Sequence, residues 1–235
     1  MTLHLHLVLW IAGSFTPKEI REKLSAGNKE FERKLLEYLE SCRVGEFMTG
    51  SKSEVGSRIP RNSLPKKKDP TLSMPSPPPA ITCDEPIEEC MCVNCIEVSD
   101  WYEQFKSIVD DVVFRTNVHE CFAMKGVSIP GLKQHPTGKG CTGRSGKCSA
   151  RFPREVFAES NVDPKDGHIN LKHLESSINS VTPAIVYTNG CNTDSTCLQS
   201  GTAVKAVVGY VCDYLTKGSL KSHQIFSTMY DAFTR

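Results

Sequence analysis

No stretch of this 235-residue chain approaches the roughly 18 consecutive apolar residues that a bilayer-crossing helix needs. Charge of one sign is lacking as well. The 28 Lys and Arg against 27 Asp and Glu leave a formal net charge of +1, which excludes a general pull toward nucleic acid and leaves that task to a local patch. The basic run Pro65-Lys66-Lys67-Lys68 stands out, and three lysines equally suit a solvated linker. A secretory signal is poorly supplied: residues 3–12 are apolar, but no Lys or Arg precedes them and two histidines lie inside. The expectation is a soluble chain with no membrane partner and no targeting signal.

Cysteine, by contrast, is abundant. Eleven thiols, an odd number, would suggest disulfides in a secreted protein, but their clustering with histidine fits metal binding in a reducing compartment better. With 39% hydrophobic residues the chain can bury a core, and its length suits one large domain or two small ones.

Near the start, Leu3, Leu5, Leu7 and Leu9 alternate with His4, His6 and Val8. Period-two alternation predicts a half-buried strand with the leucines in a core and both imidazoles on the opposite face. Residues i and i+2 of a strand lie about 6.5–7 Å apart, so two imidazoles there can converge on a metal that takes each nitrogen at about 2 Å. A solvated strand face accounts for the same pattern.

Thr16, Pro17 and Glu19 then read as N-cap, first helical residue and capping-box acid of a short helix interrupted at Gly27-Asn28. A second helix over about 29–41 carries Phe31, Leu35, Leu36 and Leu39 on one stripe. From 44 to about 82 the composition turns to Ser, Lys and Pro, which predicts a disordered insertion. The spacing of Phe105, Val109, Val112 and Val113 predicts a helix over about 101–115 with Asp100 as N-cap. Residues 118–154 are rich in Gly, Cys and Lys with little periodicity, so something besides a hydrophobic core must hold them. A turn at 163–167, short strands at 168–171 and 184–187, and a last helix from Gly201 to Lys217 ended by Gly218 complete the reading.

On that last helix Tyr210, Tyr214 and Lys217 fall within about 60° of one another, beside a separate stripe of Val204, Val208, Val211 and Leu215. Two phenols one turn apart, about 6 Å in rise, flanked by Ala203 and Ala206, can serve as a pair of nucleophiles. Amphipathic packing explains an i, i+4 tyrosine pair too.

A His-x-His strand with a tyrosine-lysine helix is what transesterification through a phosphotyrosine needs. At this point the chain resembles the rolling-circle, HUH-nuclease domain of Helitron transposases, also called the Helitron helicase-like domain. The residues that carry the likeness are 2–10 (Thr-Leu-His-Leu-His-Leu-Val-Leu-Trp), 210–217 (Tyr-Val-Cys-Asp-Tyr-Leu-Thr-Lys), Asn192-Thr193-Asp194, 200–206 and 148–153. The resemblance implies an α+β fold with a partial antiparallel sheet of the HUH type and flanking helices. It divides the chain into a metal strand and helical segment (1–43), the insertion (44–82) and the remaining nuclease domain (83–235).

It further implies that His4 and His6 bind Mg²⁺ or Mn²⁺, that Tyr210 and Tyr214 form a 5′-phosphotyrosine with nicked single-stranded DNA, and that Lys217 offsets phosphate charge. Asp194 and Gln199 are candidates for a third ligand by position. The family is nuclear, and its longer members have strands before the His-x-His motif and a helicase after the tyrosine helix. Here Met1 stands almost at the motif and no Walker A pattern follows, so the expectation is an N-terminally truncated relative whose activity truncation can abolish. The alternative is a zinc-stabilised DNA-binding or interaction segment without catalysis.

The family also has a His-x-Cys followed by two cysteines before Arg-Phe-Pro. Here His119, Cys121, Cys141 and Cys148 fill those places in the aperiodic region, which implies structural zinc. A rival set, Cys83, Cys90, Cys92 and Cys95, is denser in sequence but matches no family position.

Overall fold

A computed structural model describes residues 5–7, 9, 11–60, 69–163, 165, 167–198 and 201–216, with backbone alone at 201, 211 and 213–216. The chain forms two compact units. One comprises the described residues of 1–29, 164–168 and 197–216; the other comprises those of 30–163 and 169–196.

The larger unit is built on α4 (Val93–Thr116), a helix of 24 residues. Phe105, Val109, Val112 and Val113 recur at helical spacing and are all buried. They meet Phe47, Val55, Ile178, Val181, Val186 and Tyr187 in one core cluster. Against α4 pack α3 (Lys52–Arg58) and α5 (Pro183–Asn189). Val44 and Val181 exchange backbone hydrogen bonds of 2.8 Å each, clipping the entry to α3 onto the approach to α5.

Residues 44–60 are therefore packed onto this core through Phe47 and Val55, contrary to the disorder that their composition suggested. Two observations explain the difference. Phe47 and Val55 are 5% and 2% exposed, and Asp110, itself buried, accepts from the backbone N–H groups of Met48 (2.7 Å) and Thr49 (2.8 Å) and from the Thr49 hydroxyl. A few apolar anchors and one well-satisfied carboxylate order a segment whose average composition is polar. The proline-rich stretch is ordered as well, because the Ser76 carbonyl accepts from Trp101 Nε1 (3.2 Å) and the Tyr187 hydroxyl (2.8 Å). The Lys66-Lys67-Lys68 run lies outside the described residues.

The expected strand at 184–187 is the helix α5. Pro183 occupies its first turn, and Gly190 ends it at φ 57°, donating to the Val186 carbonyl. Pro presets the opening φ and Gly takes the left-handed position, so the boundaries override a short apolar run that either period could suit. The helix α2 (Lys29–Cys42) falls where its stripe predicted, and carries exposed Glu30–Arg33 and Arg33–Glu37 ion pairs. Strands β1 (Asn161–Val162) and β2 (Ile169–Asn170) pair antiparallel across the predicted turn. The fold class is α+β, with this small two-stranded sheet as its regular β content among the described residues.

The smaller unit contains α1 (Pro17–Ser25), whose Thr16–Glu19 capping box is formed in both directions, and α6 (Gly201–Thr216). Gly218, the expected end signal, lies outside the described residues. Leu5, Leu7 and Leu9 are 82%, 60% and 70% exposed, so the leucine face predicted for a core is solvated. An alternating segment buries one face only when neighbouring strands extend the sheet, and no strand pairs with it among the described residues.

Candidate metal centres

Residues 118–154 follow α4 with no helix and no named strand. Instead, Ala123 and Thr142 sit buried at the crossing of short bridges, Ala123 to Gln134 and Thr142, and Thr142 to Cys148. Met124 N–H donates to the Thr142 carbonyl at 2.9 Å, and the N–H groups of Cys141 and Thr142 both donate to Phe122 at 3.0 Å. Gly140 permits this approach, since a Cβ there would fall 2.1 Å from the Ala123 carbonyl oxygen. These contacts bring the ends of a 22-residue separation together.

The result is a four-ligand cluster. One ligand atom each from His119, Cys121, Cys141 and Cys148 lies within 4.8 Å of the other three. His119 Nε2 stands 3.4 Å from Cys141 Sγ and 3.3 Å from Cys148 Sγ. A tetrahedral zinc with Zn–N near 2.0 Å and Zn–S near 2.3 Å implies an N···S edge of about 3.5 Å, so the geometry fits within a few tenths of an ångström. The imidazole is held from behind: Phe152 stacks on it at 4.2 Å and 11°, and the Arg154 guanidinium lies 4.4 Å from the Phe152 ring centre. Arg154 is in turn fixed by Asn179 Oδ1 at 3.0 and 2.6 Å. Ligand positioning by such outer partners is the rule in metal sites. Phe152 belongs to the Arg151-Phe152-Pro153 motif of the sequence reading, whereas Arg154 and Asn179 carried no signal there.

The electrostatics suit thiolate ligation. Burial raises the Cys141 thiol, but hydrogen bonding from Thr142, the Phe122 backbone, His119 and Cys148 outweighs it and brings the group down to about 6. Burial, together with the neighbouring Cys148 and Cys141, pushes Cys121 up to about 11. Part of the set is ready to bind a cation, and part must surrender protons to do so.

A second cluster lies at the start of α4. Cys83, Cys90, Cys92 and Cys95 place their sulfurs within 4.8 Å of one another. None of the seven cysteines in the two groups is disulfide-bonded. The described residues thus include two clusters, one of Cys and His and one of Cys alone, compatible with a structural metal such as zinc.

The residues drawn from the two ends of the sequence meet in part. His6 and Tyr210 lie ring edge to ring face, 5.6 Å between centroids at 82°, although 204 positions separate them in the chain. Both are exposed, Tyr210 at 55%. Tyr214 is on the same helix with only its backbone described, while His4, Gln199 and Lys217 lie outside the described residues. Asp194 is exposed and belongs to the larger unit, whereas His6 and Tyr210 belong to the smaller one. Val208, assigned to the buried stripe of α6, is 40% exposed.

No family model, curated protein or solved structure matches the chain. Among the described residues no helix is long and apolar enough to cross a membrane.

Proposed function

We propose that this chain is a Helitron-type rolling-circle nuclease segment that nicks and rejoins single-stranded DNA through a tyrosine, with zinc in the His119 cluster as a structural tie. The observation that carries the reading is the contact of His6 with Tyr210. A metal-ligand type and a nucleophile type that the resemblance pairs are adjacent in space from opposite ends of the sequence.

In this reading the Tyr210 phenolic oxygen attacks the scissile phosphorus. The phenol gives up its proton as the phosphotyrosine ester forms, the bond to the 3′ oxygen breaks, and that oxygen leaves as a 3′-hydroxyl after taking up one proton from solvent, so that the proton count balances. Tyr214, one turn on in the sequence of the same helix, would serve the second transfer, in which an incoming 3′-hydroxyl reverses the step. Lys217 offsets charge on the phosphate. His4 and His6 would hold Mg²⁺ or Mn²⁺, and the chemistry such an ion would supply is Lewis-acid withdrawal of charge from the phosphate oxygens. The family's setting is the nucleus, with a helicase acting on the same DNA.

Purified protein incubated with Mn²⁺ and a labelled single-stranded oligonucleotide tests this directly. The parent is expected to give a covalent protein–DNA adduct, and Tyr210→Phe/Tyr214→Phe none. A parent that forms no adduct, yet binds DNA in a salt-sensitive way that the double variant retains, supports the second reading of a zinc-stabilised DNA-binding segment, for which the well-formed His119 cluster is the favouring observation.

A further inference from the structure

The four cysteines before and within the first turn of α4 have no place in the nuclease reading. We propose that Cys83, Cys90, Cys92 and Cys95 form a second, closed zinc site that fastens the proline-rich segment to the N-terminus of α4.

Geometry carries the case. Every pair of sulfurs in the set lies within 4.8 Å, and Cys83 Sγ is 3.7 Å from Cys90 Sγ. Four sulfurs at about 2.3 Å around a tetrahedral zinc stand about 3.8 Å apart, whereas a disulfide would bring two of them to about 2.05 Å. The spacing found is that of an edge of the zinc tetrahedron.

The backbone arranges each ligand separately. Asn94 accepts from the Thr82 N–H (2.9 Å) and donates to the Ala80 carbonyl (2.8 Å), which sets Cys83 beside the helix. A turn in which Glu89 and Cys90 N–H groups donate to the Pro86 carbonyl brings Cys90 back toward it. Cys92 is the N-cap of α4, and its sulfur accepts from the Cys95 N–H at 3.5 Å. Cys95 is 2% exposed. A thiolate capping a helix is favoured by the unpaired N–H groups and positive end of that helix, and the same field opposes the excess negative charge of four thiolates on one divalent cation.

Ligand chemistry narrows the occupant. An all-sulfur tetrahedral set selects a soft or borderline metal over Mg²⁺ or Ca²⁺. Four protein ligands complete the zinc coordination, so the site is structural rather than catalytic. The segment it would anchor runs on to Ser76, whose carbonyl bonds to Trp101 and Tyr187 at the edge of the core. Zinc would therefore join the proline-rich segment to α4 at a second point.

Metal analysis of the full chain purified under reducing conditions tests the inference. Two zinc ions per chain are expected in the parent, one for each cluster. One is expected in Cys92→Ser/Cys95→Ser and one in Cys141→Ser/Cys148→Ser, so loss of the His119 site and loss of this one are read separately. A parent with a single zinc that the Cys92→Ser/Cys95→Ser variant keeps overturns the proposal. So does iron in place of the second zinc, or a Cys83–Cys90 disulfide found by non-reducing peptide mapping. Should either variant fail to fold, zinc-edge X-ray absorption of the parent decides: an average between three and four sulfurs per zinc is expected, and three sulfurs with one nitrogen overturns the second site.

Discussion

Gly45 has room for a hydrogen and little more. A Cβ there would lie 2.1 Å from His173 Nδ1 and 2.9 Å from the His173 Cα, a backbone atom that cannot swing aside. His173 is itself pinned, exchanging 2.9 Å backbone bonds with Phe157 and sharing a 3.2 Å contact between Nδ1 and Ser180 Oγ. Gly45→Ala is expected to cost about 1–3 kcal/mol, measured as a lowered urea midpoint at unchanged slope. The histidine makes a second prediction. It is buried, its Nε2 has no partner, and burial followed by the charges of Arg43 and Arg154 holds its pKa below the usual 6.5. The unfolded chain therefore takes up this proton first, so the contribution to stability is present above about pH 6.5 and is lost as pH falls below it. Thermal melts from pH 7 to 5 should fall more steeply in the parent than in His173→Gln; parallel curves would remove His173 from the account.

The helices show which signals the sequence carried and which it hid. The buried stripe of α4 was legible because four apolar residues recur at helical spacing over one solvent boundary. Its first two turns were not, since Val93 and Ile96 are 74% and 42% exposed and add no stripe. Only a cysteine N-cap marks that end, an uncommon choice beside Ser, Thr, Asp or Asn. Capping chemistry was the most faithful local signal at α1, where Thr16, Pro17 and Glu19 act as their types dictate. The ordering of 44–60 was hidden because it rests on one carboxylate 61 and 62 positions away, and no local pattern encodes that. Asp110→Ala should accordingly cost about 3 kcal/mol, by leaving the Met48 and Thr49 N–H groups without an acceptor. Denaturant melts check it; a loss under about 1 kcal/mol would mean that Phe47 and Val55 hold the segment unaided. Of the two clusters that could hold a metal, the His119 set was legible through its flanking motif, while the Cys83 set showed the right residue types and needed the Pro86 turn to show convergence.

Across the molecule, hydrophobic packing accounts for only part of the order. The α3–α4–α5 core is held by buried Val, Ile and Phe side chains, as ordinary helical packing requires. Residues 118–154 bury only Ala123 and Thr142 fully, far too little apolar surface to offset the ordering of a segment that long. Metal ligation by the His119 cluster, as proposed above, would supply a term large enough to hold it, because binding free energy of a site formed only on folding is folding free energy. Stripping metal with a chelator under reducing conditions should therefore lower Tm by about 10 °C or more, at about 2–4 °C per kcal/mol for a chain of this size. Hydrogen exchange locates the effect: protection should vanish first across 118–154, with the α4–α5 core the last to open. Acid should act in the same direction, since metal must displace the proton that Cys121 holds with its pKa near 11. Each proton so displaced weakens metal binding about tenfold per unit fall in pH. Competition with a chromogenic chelator between pH 8 and 6 measures that slope, and a flat profile would show that this histidine-thiol cluster does not hold the metal.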